Sequence, residues 1–231
     1  DEANAALDFD KANRFKAIFL QIRPTADSLF PSDIFPWSQY LTGQQGVAPS
    51  DGFDPLAFWL SEAHARGLEL HAWVNPYRIT KIKPTDAAAT LEQHVPTPPA
   101  RLHPDWVVRH TDGNLYFNPG LPEVRNLLED SIREILTKYA VDGIHFDDYF
   151  YPDGSASKES AKTSPVVADG TKRGLVKDRK GIPGYISPFD DADAFTRYGN
   201  AFTTLDDWRR NNVDTFVREV SAIIRATSPQ V

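Results

Sequence analysis

Three short, apolar-rich stretches, each bounded by Gly, Pro or Asp, predict buried strands: 15–23 (FKAIFLQIR), 68–75 (LELHAWVN) and 143–150 (GIHFDDYF). Between them apolar residues return at helical spacing. One helix is predicted from Pro55, with Asp54 as its N-cap, through Leu56, Trp59, Leu60 and Ala63 to a stop at Gly67. A second starts at Leu121-Pro122 and carries Val124, Leu127, Leu128, Ile132, Ile135 and Tyr139. A third opens at Thr204 with Asp207 three residues on, a capping-box-like start, followed by Trp208, Phe216, Val217, Val220, Ile223 and Ile224. Residues 2–13 read as the end of a further helix that leads into the first strand.

A helix followed by three strand–helix units predicts a parallel sheet with crossover helices. The loops are asymmetric. Helix-to-strand links are one to three residues, whereas strand-to-helix links run to roughly 30, 45 and 50, far above the usual two to six. In α/β folds sites are built at the carboxyl ends of strands, so three long loops on that face predict a site there. The expected fold class is α/β, of the (β/α)8 TIM-barrel type. A complete barrel takes about 250 residues, and with three clear strands the expectation is one unit over 1–231, an incomplete barrel truncated at its C-terminal end. A smaller open α/β sheet is the alternative. Residues 153–197 read as a long insertion overhanging the site.

Charge and composition narrow the chemistry. A net charge of −7 argues against a nucleic-acid partner, which needs a basic patch to displace counterions. There is no apolar run of about 18 residues to predict a membrane span, and no leader-like start. With no cysteine, disulfides, thiolate metal sites and cysteine nucleophiles are excluded. The absence of any methionine predicts a processed or excised chain.

Residues two apart on a strand share a face. One parity is greasy: Ile18, Leu20, Ile22, then Leu70, Ala72, Val74, then Ile144, Phe146 and Phe150. The other turns polar, with Gln21, Arg23, His71, Asn75, His145, Asp147 and Tyr149 expected to point into the barrel. Such groups are costly to bury without partners, so they should form a hydrogen-bonded site. Asp147, at a strand mouth beside Arg23 and Asn75, suits a nucleophile or general acid/base; a salt bridge to Arg23 is the bland alternative. Glycoside hydrolysis is the chemistry that most often needs an inward carboxylate pair, but the adjacent Asp148 has the opposite parity. His71 and His145 read as hydrogen-bonding groups, or as metal ligands with Asp147. Trp37 and Trp106 suit sugar stacking or loop anchoring.

The motifs QIRPTADSLFPSDIFPWSQYLTG (21–43), DPLAFWLSEAHARGLELHAWVNPYR (54–78), HPDWVVRHTDGNLYFNPGLPEVR (103–125), DGIHFDDYFYP (142–152) and DWRRNNV (207–213) together resemble the glycosyl hydrolase-like 10 family. They span most of the chain in the family's order. The resemblance implies a (β/α)8-type barrel in secreted, periplasmic or lipoprotein-anchored bacterial proteins, the characterised branch of which hydrolyses peptidoglycan strands stripped of stem peptides. It implies that Arg23, Asp27, Asn75, Tyr77, Arg78 and Asn118 line the site and that Asp147 and Asp148 are its acidic centre. The long insert is a departure from the family pattern.

The leading expectation is therefore a glycoside hydrolase acting on a bacterial cell-wall polysaccharide, periplasmic or extracellular, without a cofactor or metal. Asp147 and Asp148 are its catalytic candidates. Arg23, Asp27, Trp37, His71, Asn75, Tyr77, Arg78, Asn118, His145 and Tyr149 are its substrate-binding candidates. The alternatives are a carbohydrate-binding barrel that uses Trp37, Tyr77 and Tyr149, and a metal-dependent hydrolase that uses His71, His145 and Asp147.

Overall fold

A computed structural model describes residues 2–81, 98–110, 113–147, 150–152 and 189–231. Its elements run α1 (Glu2–Ala12), β1 (Ala17–Arg23), α2 (Gln39–Thr42), α3 (Pro55–Ala65), β2 (Glu69–Val74), α4 (Pro99–Leu102), β3 (Val107–Arg109), β4 (Leu115–Phe117), α5 (Pro122–Lys138), β5 (Gly143–His145), α6 (Ala192–Tyr198) and α7 (Leu205–Thr227). The helix starts follow their caps. Asp54 accepts the Ala57 N–H at 3.1 Å, with Pro55 in the first turn of α3. Thr204 accepts the Asp207 N–H at 3.0 Å and donates its hydroxyl to that carboxylate at 2.7 Å.

Strands β1, β2 and β5 form a parallel sheet in that order, as the strand–helix alternation predicts. A two-stranded antiparallel hairpin, β3–β4, was not predicted; both its strands are three residues long and carry too little alternation to read. The described residues thus make a mixed α/β fold. The greasy parity of the sheet faces the helices as expected. Leu70, Ala72 and Val74 are fully buried in one core with Leu7 of α1, Leu56, Leu60 and Ala63 of α3, Val124, Leu128, Ile132 and Ile135 of α5, and Phe216, Val220 and Ile223 of α7.

The opposite face of the sheet carries Phe19, which is 55% exposed, with half-buried Gln21, His71, Trp73 and His145. β5 is shorter than the predicted strand and ends at His145, where its ladder with β2 stops. β2 itself ends one residue beyond Trp73, and the following Asn75-Pro76 turns the chain away, Pro76 having no N–H to extend the ladder. Phe146 and Phe150 nonetheless keep their core side, both packed against Phe216. Of the expected 153–197 insertion, 153–188 lie outside the described residues; the rest carries α6.

Candidate active site on the open sheet face

The site is built where β2 and β5 end. Gln21 pairs with Trp73 and Trp73 with His145, which sets these three side chains on one face. Trp73 is the hub. Its indole N–H donates to Oδ1 of Asn75 at 3.1 Å and to Oδ1 of Asp147 at 2.9 Å. Its ring meets His145 nearly perpendicular, at 6.0 Å between centroids. His145 in turn packs edge-on against Phe19 at 4.8 Å, and Phe19 touches His71 at 5.0 Å.

Asp147 lies two residues past His145 and is exposed, so the carboxylate is accessible and, among the described residues, held at one oxygen. Asn75, almost fully buried, is tied by its amide to the Pro24 carbonyl at 3.5 Å. Asp147, Asn75 and His145 are therefore brought together as the parity argument expects. Trp73, the residue that joins them, shares their parity but is not among the sequence candidates; its indole nitrogen is the signal that marks it. Asp148 and Tyr149 lie outside the described residues.

Arg23 corrects the reading of β1. The register slips between Gln21 and Arg23, so that Arg23 pairs with Val74 and falls on the greasy side. Ile22 and Arg23 are consequently both buried. The guanidinium donates to Ser131 Oγ of α5 at 3.0 Å and to the Pro76 carbonyl at 3.5 Å, and lies 4.5 Å over the Phe35 ring. Burial lowers its pKa to about 9, against the pull of Asp27, Glu134 and Tyr77. Arg23 thus braces the start of the Asn75–Arg78 turn from behind, and the expected Arg23–Asp147 neighbourhood does not form.

Tyr77 is the second correction. Its ring is fully buried between Phe150 and Phe216, and its hydroxyl has no hydrogen-bond partner among the described residues. Burial pushes that hydroxyl far above the ordinary phenol range. It is a core aromatic, unavailable to stack on a ligand.

The remaining candidates spread around this centre. Asp27 is buried in the loop after β1 and accepts the Thr25 hydroxyl at 2.8 Å. Arg78, half-buried, donates Nε to the Pro24 carbonyl at 3.1 Å. The Asn118 side chain accepts the Gly120 N–H at 2.9 Å, closing a turn that packs Gly120 against Trp208. Trp37 is half-buried and pairs through its backbone with Ser28; Trp106 stacks on His103 at 3.8 Å. His71 lies level with Gly143, towards the amino end of the sheet, and bonds Glu69 at 3.1 Å. His71, His145 and Asp147 therefore do not converge. Among the described residues no three His, Cys, Asp or Glu side chains gather where they could hold a metal ion.

Beside this centre, Arg209 of α7 forms a buried two-point ion pair with Asp191, at 2.8 and 2.7 Å. Its guanidinium lies over the rings of Tyr151 and Phe189. Asn212 donates to the Tyr151 hydroxyl at 3.2 Å. Val108 and Tyr116 of the hairpin complete this satellite core.

Two solved structures overlap the chain at low identity: alpha-L-fucosidase isoenzyme 2 from Paenibacillus thiaminolyticus (TM-score 0.49, 15% identity, covering 99% of this chain and 28% of that one) and the galactosidase domain of alpha-galactosidase-sucrose kinase, AgaSK (TM-score 0.41, 17% identity, covering 64% and 18%). Curated relatives lie nearer. Glycosyl hydrolase YngK of Bacillus subtilis (strain 168) is 42% identical over 93% of this chain, and glycosyl hydrolase DigH of Escherichia coli (strain K12) is 33% identical over the same share. The chain spans 35% and 42% of the length of these two proteins. The model of the Glycosyl hydrolase-like 10 family matches residues 2–231, so the chain belongs to that family.

Proposed function

We propose that this chain carries the catalytic face of a glycoside hydrolase acting on a bacterial cell-wall glycan, peptidoglycan strands without stem peptides being the preferred substrate. The observation that carries the reading is Asp147: an accessible carboxylate at the carboxyl end of a parallel strand, gripped at one oxygen by an indole N–H beside a buried asparagine. Such a group suits a general acid/base or a nucleophile in glycosyl transfer to water. Asp148 is the proposed second carboxylate. The family and the names of its relatives support the reaction class. The sheet is read as part of a (β/α)8 barrel, and the protein as periplasmic or extracellular, on a lipid anchor or free. No cofactor is called for.

The test incubates the protein at full length with peptide-free peptidoglycan strands and with chitin oligomers, and follows products by mass spectrometry. Shortened strands are expected from the first substrate, with turnover lowered at least about a hundredfold in Asp147→Asn while the fold persists. A loss below threefold would sink the assignment of Asp147. Strands that are bound yet left intact would make this a carbohydrate-binding module instead.

A further inference from the structure

We propose that Trp73 is a positioning residue for Asp147: its indole N–H holds Oδ1 and leaves Oδ2 as the oxygen presented for chemistry. The inference rests on the reading of Asp147 as the working carboxylate and deepens it. An indole nitrogen only donates, so the contact has one polarity. The donor's place in the sheet is also fixed. Trp73 is paired on both sides in the sheet, with Gln21 and with His145. Its ring is braced by His145, which leans on Phe19, which leans on His71. Asn75 takes the same N–H from the buried side and is itself tied to Pro24, so the nitrogen is aimed towards the strand mouth.

Asp147 has none of this support of its own. It stands beyond the end of β5, in irregular and exposed chain, where a carboxylate would otherwise sample several rotamers. The bond to Trp73 is the one hydrogen bond to its side chain among the described residues. A fixed Oδ1 and an open Oδ2 turn a mobile acid into a directed one, which is what an in-line attack or proton transfer requires.

The substitution Trp73→Phe keeps a ring in the sheet and removes the donor. In the full-length protein acting on peptide-free glycan strands, kcat is expected to fall about tenfold or more, with KM within about twofold. In an Asp147→Ala background the same substitution is expected to lower residual turnover by less than about twofold, because the residue it acts through is gone. A full, additive loss in that background would overturn the proposal. A readout free of activity accompanies it: the indole N–H resonance of Trp73, assigned by its disappearance in Trp73→Phe, should shift in Asp147→Ala. An unmoved resonance overturns the contact itself. A moved resonance beside undiminished turnover in Asp147→Ala would overturn the catalytic reading of Asp147 and leave the contact standing.

Discussion

Arg23 stands beside Val74, one step short of the Asn75 that an unbroken register would give it. One residue accommodated at Ile22 sends the cation into the layer between sheet and helices, where Ser131 receives it at 3.0 Å. If that bond carries the packing, Arg23→Ala should cost about 3 kcal/mol in urea unfolding and Ser131→Ala about 1 kcal/mol. The two should be non-additive, with a coupling of about 0.5–1.5 kcal/mol. Zero coupling would mean that the guanidinium lies elsewhere.

The Arg209–Asp191 pair is nearly inaccessible to water. Removing one partner strands a buried charge, at a cost of about 3–5 kcal/mol. Arg209→Ala and Asp191→Ala should each lower the unfolding free energy by that order. The double variant should lose little more than either alone. Equal and fully additive losses would contradict the pairing.

Glu129 of α5 has its pKa raised, chiefly by burial and further by the neighbouring Glu219 carboxylate of α7, against the pull of Arg133. Arg125, which pairs with Glu219 at 2.8 Å, also faces this cluster. A carboxyl whose folded pKa lies above its unfolded value contributes stability that is complete below its ordinary value of 4.5 and is lost as pH rises through the folded value. Glu129→Gln should therefore gain on the parent as pH climbs from about 4 to about 7. Urea midpoints across that range decide it; a difference that stays constant with pH would refute the assignment.

Gly143 leaves room for the His71 ring. A Cβ there would stand 2.2 Å from Nδ1. Gly143→Ala should destabilise by about 1–3 kcal/mol through overpacking. Adding His71→Ala should restore most of that loss, as read by thermal unfolding. A Gly143→Ala variant as stable as the parent would show that the ring is not seated there.

Much of this architecture was readable because its signals are local. Asp54-Pro55 and Thr204 with Asp207 announce helix starts through capping chemistry, and the alternation Leu70-Ala72-Val74 names the face that meets the helices. Parity also brought Asn75, His145 and Asp147 together. It failed at Arg23 because a bulge leaves no mark in a period-two pattern: Gln21, Ile22 and Arg23 alternate in sequence whether or not the backbone does. Tyr77 entered the candidate set through the resemblance of its Asn-Pro-Tyr-Arg motif and not through parity; its phenol instead fills a gap between Phe150 and Phe216, contributed from far along the chain. Trp73 lies on the polar parity of β2 without being one of its polar candidates. Its ring belongs to the sheet's packing and its nitrogen to the site, and hydrophobic pattern registers only the first.

Tyr151 and Phe189 both rest on the guanidinium of Arg209. One side chain of α7 thereby fastens the two mouths of the excursion that opens after Pro152. Whatever connects them is closed at a fixed gap, and closing a longer or shorter connection changes the free energy by only about 0.6 kcal/mol per doubling. Lengthening or shortening the chain between Pro152 and Phe189 by a few residues should therefore cost little stability. A staple at its two ends makes length the cheap variable there and the Arg209 anchor the costly one to lose.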